Sequence, residues 1–231
     1  MKRQNKLMLR YRPNTNESIE SRHKRFLSRQ VALPVPWCIL DQCCETPPAI
    51  AGKLTSVVDL DKCMTKGIRG HIVYSFRGPD YLKDDARCDD YMVMEFDPDK
   101  VDYSGLISDS FPKMVEAFEC YSACIEKRDV VIRDFDKGVL EYERTGKEPN
   151  GRNTVFRINA VNFWDRELCK RAFRLSPADI VKRLTGEVES VSEFYDGVLL
   201  IVTSQILTTE EHEAIDARVR KLLRHKLFGF F

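Results

Sequence analysis

Hydrophobic and polar positions along the chain change period several times, and each change marks an element. A short apolar start at residues 7–11 runs into a turn at residues 13–16, and a polar helix follows with Ile19, Phe26 and Leu27 on a narrow stripe. Residues 31–36 carry Pro34 and Pro36, which break that helix and lead into a short edge strand over residues 37–40. Residues 54–64 have the composition of a short helix ended by Gly67. Residues 71–76 and 91–96 are β-rich runs that should pair, joined by the acidic loop 79–90. The clearest central helix is predicted over residues 112–126, because Phe111, Val115, Phe118, Ser122 and Ile125 fall on one face.

Val130 to Ile132 has the β-branched character of a strand, and Asn150 with Gly151 marks a turn. Residues 154–163 alternate as a long strand does, and residues 164–173 look helical. Ser176, Pro177 and Asp179 form a helix-start signal for residues 177–184, with Gly186 as its stop. Residues 188–194 and 198–203 flank an Asp196-Gly197 pair, the strongest short-range signal of a β-hairpin. Thr208 and Thr209 cap a last helix lined by Ile215, Val219, Leu222 and Leu223. Strands joined by tight turns, with helices in blocks between them, predict an α+β fold: a single domain over residues 1–231 with a mixed or antiparallel sheet packed by helices.

Charge sharpens this picture. The chain of 231 residues has 37 Lys+Arg and 36 Asp+Glu, a net of +1, which argues against bulk electrostatic binding of nucleic acid. The balance is a cancellation between blocks. Residues 1–30 hold nine basic and two acidic residues, and residues 80–102 hold three basic and nine acidic. A dipolar surface of this kind steers a charged partner even when net charge does not. The longest wholly apolar run covers only residues 198–202, far short of the roughly 20 residues of a membrane span, and no secretory signal pattern follows the basic start. Eight cysteines at irregular spacings, without an export signal, point to reduced thiols in the cytoplasm.

Chemical motifs are sparse. Cys43-Cys44 and Cys120 with Cys124 lack the compact pairs that zinc needs, although Cys120 and Cys124 would share a face if helical. None of the histidines (23, 71, 212 and 225) marks a local partner for a catalytic cysteine, and no phosphate-cradling glycine loop occurs. No cofactor and no metal is therefore expected, and the chain is read as a non-enzyme. The runner-up is a metal-dependent nuclease or other hydrolase using Asp134, Asp136 and Glu141, with Glu143 nearby. A nucleic-acid contact through Arg22, Lys24 and Arg25 has only Phe26 beside it as an aromatic, so a nucleic-acid partner is not expected. The remaining surface is the loop carrying Asp80, Tyr81, Asp84, Asp85, Asp89, Asp90 and Tyr91. Aromatic anchors ringed by acid suit a basic protein partner, and the same pattern is also that of an ordinary polar loop.

Four segments carry a resemblance to a known family: residues 9–20 (LRYRPNTNESIE), 37–41 (WCILD), 70–78 (GHIVYSFRG) and 197–204 (GVLLIVTS). In their order the chain resembles the immunity protein 52 family of bacterial polymorphic-toxin and type VI secretion systems. The resemblance implies a cytoplasmic α+β antitoxin that binds a cognate secreted toxin and holds it inactive. Toxins countered by that family are often nucleases, which would give the acidic loop a basic partner. It transfers no catalytic residue and no contact residue to this chain.

Overall fold

A computed structural model describes residues 5–40, 55–82 and 88–224. The sheet has eight strands in the order β2-β3-β4-β1-β5-β6-β8-β7. Every neighbouring pair is antiparallel. The strands are β1 (Asn5–Tyr11), β2 (Thr55–Asp59), β3 (Arg69–Ser75), β4 (Asp90–Phe96), β5 (Ser122–Lys127), β6 (Val161–Asp165), β7 (Ser190–Phe194) and β8 (Gly197–Ile201). The helices are α1 (Ile19–Gln30), the short turns α2 (Pro79–Leu82) and α3 (Tyr103–Gly105), then α4 (Phe111–Ala117), α5 (Arg128–Thr145), α6 (Arg166–Phe173), α7 (Pro177–Leu184) and α8 (Thr209–Leu223). A π-helical turn, Leu106–Ser110, joins α3 to α4. The expected α+β architecture is the one observed, with an open and wholly antiparallel sheet.

The apolar start of the chain is the centre of the sheet, because β1 pairs with β4 on one side and with β5 on the other. Its period-2 pattern sorts the molecule. Leu7 and Leu9 face the larger core, where α1 and α4 press Phe26, Phe111, Val115 and Phe118 against the sheet. Phe26 meets Phe118 edge-on at 5.1 Å, and Trp37 meets Phe96 at the same distance. A second core lies on the opposite face, where Trp164, Val198 and Leu200 pack under Leu168, Ile180, Leu184 and Val219 of the later helices. Met8, Val93 and Cys124 form a small third cluster on that face, nearer β1.

Several predicted elements stand as expected. α1 starts at Ser18, whose hydroxyl accepts from Ser21 N. α7 and α8 both begin with a reciprocal capping box, Ser176 with Asp179 and Thr208 with Glu211. The β7–β8 hairpin turns at Tyr195, with φ +53°, and Gly197 sits where an added Cβ would lie 2.0 Å from Trp164 O.

Other elements differ, each for a local reason. Residues 37–40 form no strand: Pro34 and Pro36 supply no amide donors for a ladder, and the Gln30 amide clasps Ile39 through both its backbone groups, at 2.9 and 2.6 Å. Residues 55–59 are a strand and not a helix, in keeping with Thr55, Val57 and Val58. The helix expected over residues 112–126 ends at Ala117; Glu119 adopts φ +49°, and residues 122–127 become β5, in which Ala123 and Ile125 face the core while Cys124 faces away. The apparent helical stripe ran on because Ser122 and Ile125 fit a period of 3.6 by coincidence. Val130 to Ile132 belongs to α5, since the helix begins directly after β5. Of residues 154–163, only the last three lie in a strand, and Trp164 extends that strand before Asp165 caps α6.

Gly138 sits inside α5, and a Cβ added there would meet nothing within 4 Å. Gly138→Ala should therefore raise stability by about 0.5–1 kcal/mol, because alanine restricts the unfolded chain and costs nothing in the helix. Urea denaturation of the two proteins measures this directly, as a higher midpoint at unchanged slope.

Candidate protein-recognition face

Of the acidic loop's carboxylates, the two that the structure describes, Asp89 and Asp90, are not presented as the sequence suggested. Asp84 and Asp85, and the side chains of Asp80 and Tyr81, lie outside the described residues. Asp89 and Asp90 are buried, so they are corrected from surface to interior. Asp89 accepts from Arg152 Nε at 2.6 Å and from the Tyr121 hydroxyl, with Arg10 at 3.9 Å. Burial pushes the Asp89 carboxyl up from its ordinary value, against the pull of Arg152 and Arg10. Asp90 takes a two-pronged contact from Arg77, at 2.8 and 2.7 Å, and accepts from Ser75 N. The reason is topological: these two residues stand where the loop enters β4 beside the central strand, so their charges are spent on cations within the fold.

Of the described side chains in that set, Tyr91 alone reaches the surface. It is half-buried on the open side of β4, and the register extends a face outward from it. Val57, Val73, Tyr91 and Arg10 make one cross-strand row. Asp59, His71, Val93, Met8 and Cys124 make the next. Arg69, Glu95, Lys6 and Glu126 make a third, of alternating charge, with Lys6 and Glu126 3.5 Å apart. Between β2 and β4 these rows enclose a shallow groove of about 590 Å³ with an apolar floor of Val73 and Val93. His71 stands edge-on to Tyr91 at 6.1 Å. Asp59, Asp61 and Glu95 rim the groove against one arginine, Arg69, which pairs with Asp61 at 3.3 Å. The groove thus sets the Tyr91 ring beside carboxylates that the loop does not contain.

The metal hypothesis fails on geometry. Asp134, Asp136 and Glu141 lie on α5, not around a strand. Asp134 is buried in a pair with Arg157, with Lys137 and Arg133 at 3.6 and 3.7 Å, and Glu141 is tied to Arg144. Asp136 projects from another side of the helix, two residues from Asp134. Among the described residues no group of three His, Cys, Asp or Glu side chains is placed to hold a metal ion. The basic helix is corrected likewise. Arg22 is fully buried between the rings of Tyr11 and Phe118, at 3.9 and 4.8 Å, and donates to Phe118 O; Arg25 is held by Glu17 and Glu119. Only Lys24 of the three is exposed.

The described cysteines are all free thiols. Cys120 and Cys124 share no helix, and burial pushes both thiols upward; burial also raises the Cys169 thiol, to about 12. His212 is buried rather than on a polar face, and burial with Lys127 and Arg157 nearby lowers it to about 4. His23, against the Tyr74 hydroxyl at 2.8 Å, is lowered to about 4 by burial and Arg22. His225 lies outside the described residues.

A feature with no counterpart in the sequence expectations is the outer side of α5. Val131, Ile132, Phe135, Val139 and Leu140 are all exposed there, and a groove of about 440 Å³ runs between α5 and residues 148–159. Val130 to Ile132, expected as a strand, lie instead near the start of this helix. No protein-family model matches the chain, and no curated protein matches it.

Two outcomes follow from the buried polar groups. Asp89→Asn leaves Arg152 buried without its counter-charge and should cost about 3–5 kcal/mol of unfolding free energy, read by urea denaturation. Both buried histidines are neutral in the fold and titrate near 6.5 when unfolded, so their contribution is complete above pH 6.5 and is lost as pH falls toward about 4. The melting temperature should therefore decline across that window, and His23→Gln should flatten the slope.

Proposed function

We propose that this protein is an antitoxin of the immunity type: a non-catalytic cytoplasmic partner that neutralises a cognate secreted toxin, a nuclease, by covering its active cleft. The observation that carries the reading is the open sheet face around Tyr91, where a half-buried ring and exposed Val57 stand among Asp59, Asp61 and Glu95. A nuclease cleft is cationic because it holds a phosphate backbone. An acid-rimmed face with an aromatic anchor is its electrostatic and apolar complement. The order of segments that resembles the immunity protein 52 family supports the same reading. So does the rigidity of the face, whose floor residues belong to paired strands and not to loops. Among the described residues no helix is long and apolar enough to cross a membrane.

The test begins with the toxin domain encoded by the neighbouring reading frame. Co-expression with this protein should restore growth, and the purified pair should associate tightly. Tyr91→Ala should weaken binding about 30-fold or more, the loss expected of a central aromatic anchor. Asp59→Lys with Glu95→Lys should slow association at low salt and matter little at high salt. Unchanged affinity and association rate in both variants would remove this face from the interface, and absence of growth rescue would remove the antitoxin reading.

A further inference from the structure

α5 is 18 residues long, or about 27 Å, and only Val130 and Asp134 along it are buried. The opposite side is apolar and open. Arg128, Ile132, Phe135, Val139 and Glu143 fall within an arc of about 80° at 3.6 residues per turn, directly away from Val130 and Asp134. Ile132 is 62% exposed, Phe135 66% and Val139 39%. Helix sides in contact with water are ordinarily polar, and an i, i+3, i+7 apolar seam is the pattern of a helix that meets another helix.

The charges at its two ends indicate which helix. Asp129 and Arg144 lie at the ends that the helix dipole favours, whereas Arg128 in the first turn and Glu143 in the last lie at the wrong ends. Arg128 and Glu143 are exposed, and neither makes an ion pair among the described residues. An antiparallel copy of the same helix corrects both. With a two-fold axis at the level of Phe135 and Asp136, Ile132 of one chain faces Val139 of the second copy, and Arg128 faces its Glu143, each contact made twice. Phe135 packs beside the axis. One seam thus supplies both halves of its own complement, which is the condition for an isologous interface. Asp136 comes near its own copy at the solvated rim, which keeps the association modest.

We infer that α5 is a homodimer interface, in which two copies of this chain pair antiparallel through Ile132, Phe135 and Val139, with reciprocal Arg128–Glu143 ion pairs. The inference is independent of the antitoxin reading, which uses a different face.

Light scattering after size exclusion, and sedimentation velocity over about 1–100 µM, test it on the full chain, since a face of this size is at the small end of stable interfaces. The expected result is a concentration-dependent mass approaching twice the 26.8 kDa of one chain. Phe135→Asp should give a monomer with unchanged circular dichroism and melting temperature. Arg128→Glu and Glu143→Arg alone should each weaken the dimer about tenfold, and the double exchange should restore it. A monomer throughout the range overturns the inference and leaves the seam to another occupant. A dimer untouched by Phe135→Asp places self-association elsewhere and overturns it too. Loss without restoration in the double exchange excludes the antiparallel two-fold arrangement. Should Phe135→Asp fail to fold, the exchange pair decides alone.

Discussion

The alternation of side chains along β1 is the constraint on which the rest of the molecule depends. β1 lies between β4 and β5 with register fixed on both sides, so each of its residues commits a whole cross-strand row to one face or the other. Leu7 and Leu9 anchor the core beneath α1 and α4. Lys6, Met8 and Arg10 anchor the rows of the opposite face, and each of these rows combines an apolar or charged centre with a different edge. A slip by one residue would turn Lys6 and Arg10 into the core and expose the leucines. The stability of this arrangement and the make-up of the open sheet face therefore both run through one strand of seven residues.

Buried ion pairs hold the connections to that strand. Glu119 collects Arg22, Arg25 and Arg29 where α4 gives way to β5; Asp89 collects Arg152 and Tyr121 where the loop gives way to β4. Each pair links segments far apart in sequence; removal of Asp89 strands the charge of buried Arg152, whereas Arg25 and Arg29 meet Glu119 at a part-exposed edge. The near-zero net charge acquires its meaning here. Among the described residues, the basic start and the acidic 80–102 segment spend part of their charge within the fold. Several of their charges are turned inward: Arg22 meets Glu119, Arg10 lies beside Asp89, and Arg77 clasps Asp90. The groove between β2 and β4 takes its acidic rim from Asp59, Asp61 and Glu95, of which only Glu95 belongs to the acidic segment.

Much of the fold was legible where local chemistry decides the outcome. The capping boxes of α7 and α8, the β7–β8 hairpin, the pairing of β3 with β4 and the overall α+β class all follow from residues within a few positions of one another. The failures share a different cause. At residues 122–127 and 128–132 a helix passes into a strand and a strand into a helix with few or no intervening residues, so no glycine or proline punctuates the change. β-branched Val130 and Val131 then read as strand, although tertiary contacts carry them as helix. The recognition face was legible only in part. Tyr91 was visible as an aromatic beside acid, but Asp59, His71 and Glu95 join it through register, a relation between strands that no single stretch of sequence contains.

The two unpartnered surfaces are mechanically linked. α5 begins where β5 ends, with Lys127 as both the last residue of the strand and the cap of the helix. Lys127 Nζ donates to Leu207 O at 2.8 Å, Arg133 pairs with Glu213 at 3.1 Å, and Arg157 bridges Asp134 to Asp216, so α5 is riveted to α8 along its inner side. The helix therefore has little freedom to rotate against the sheet. A pair of chains joined through α5 would hold two open sheet faces in fixed relation, because a rigid strand-to-helix junction separates each face from the joint. Tyr91 lies on β4, and β1 separates β4 from β5, so the open sheet face and the outer side of α5 are distinct surfaces that meet only through the paired strands and the β5–α5 junction.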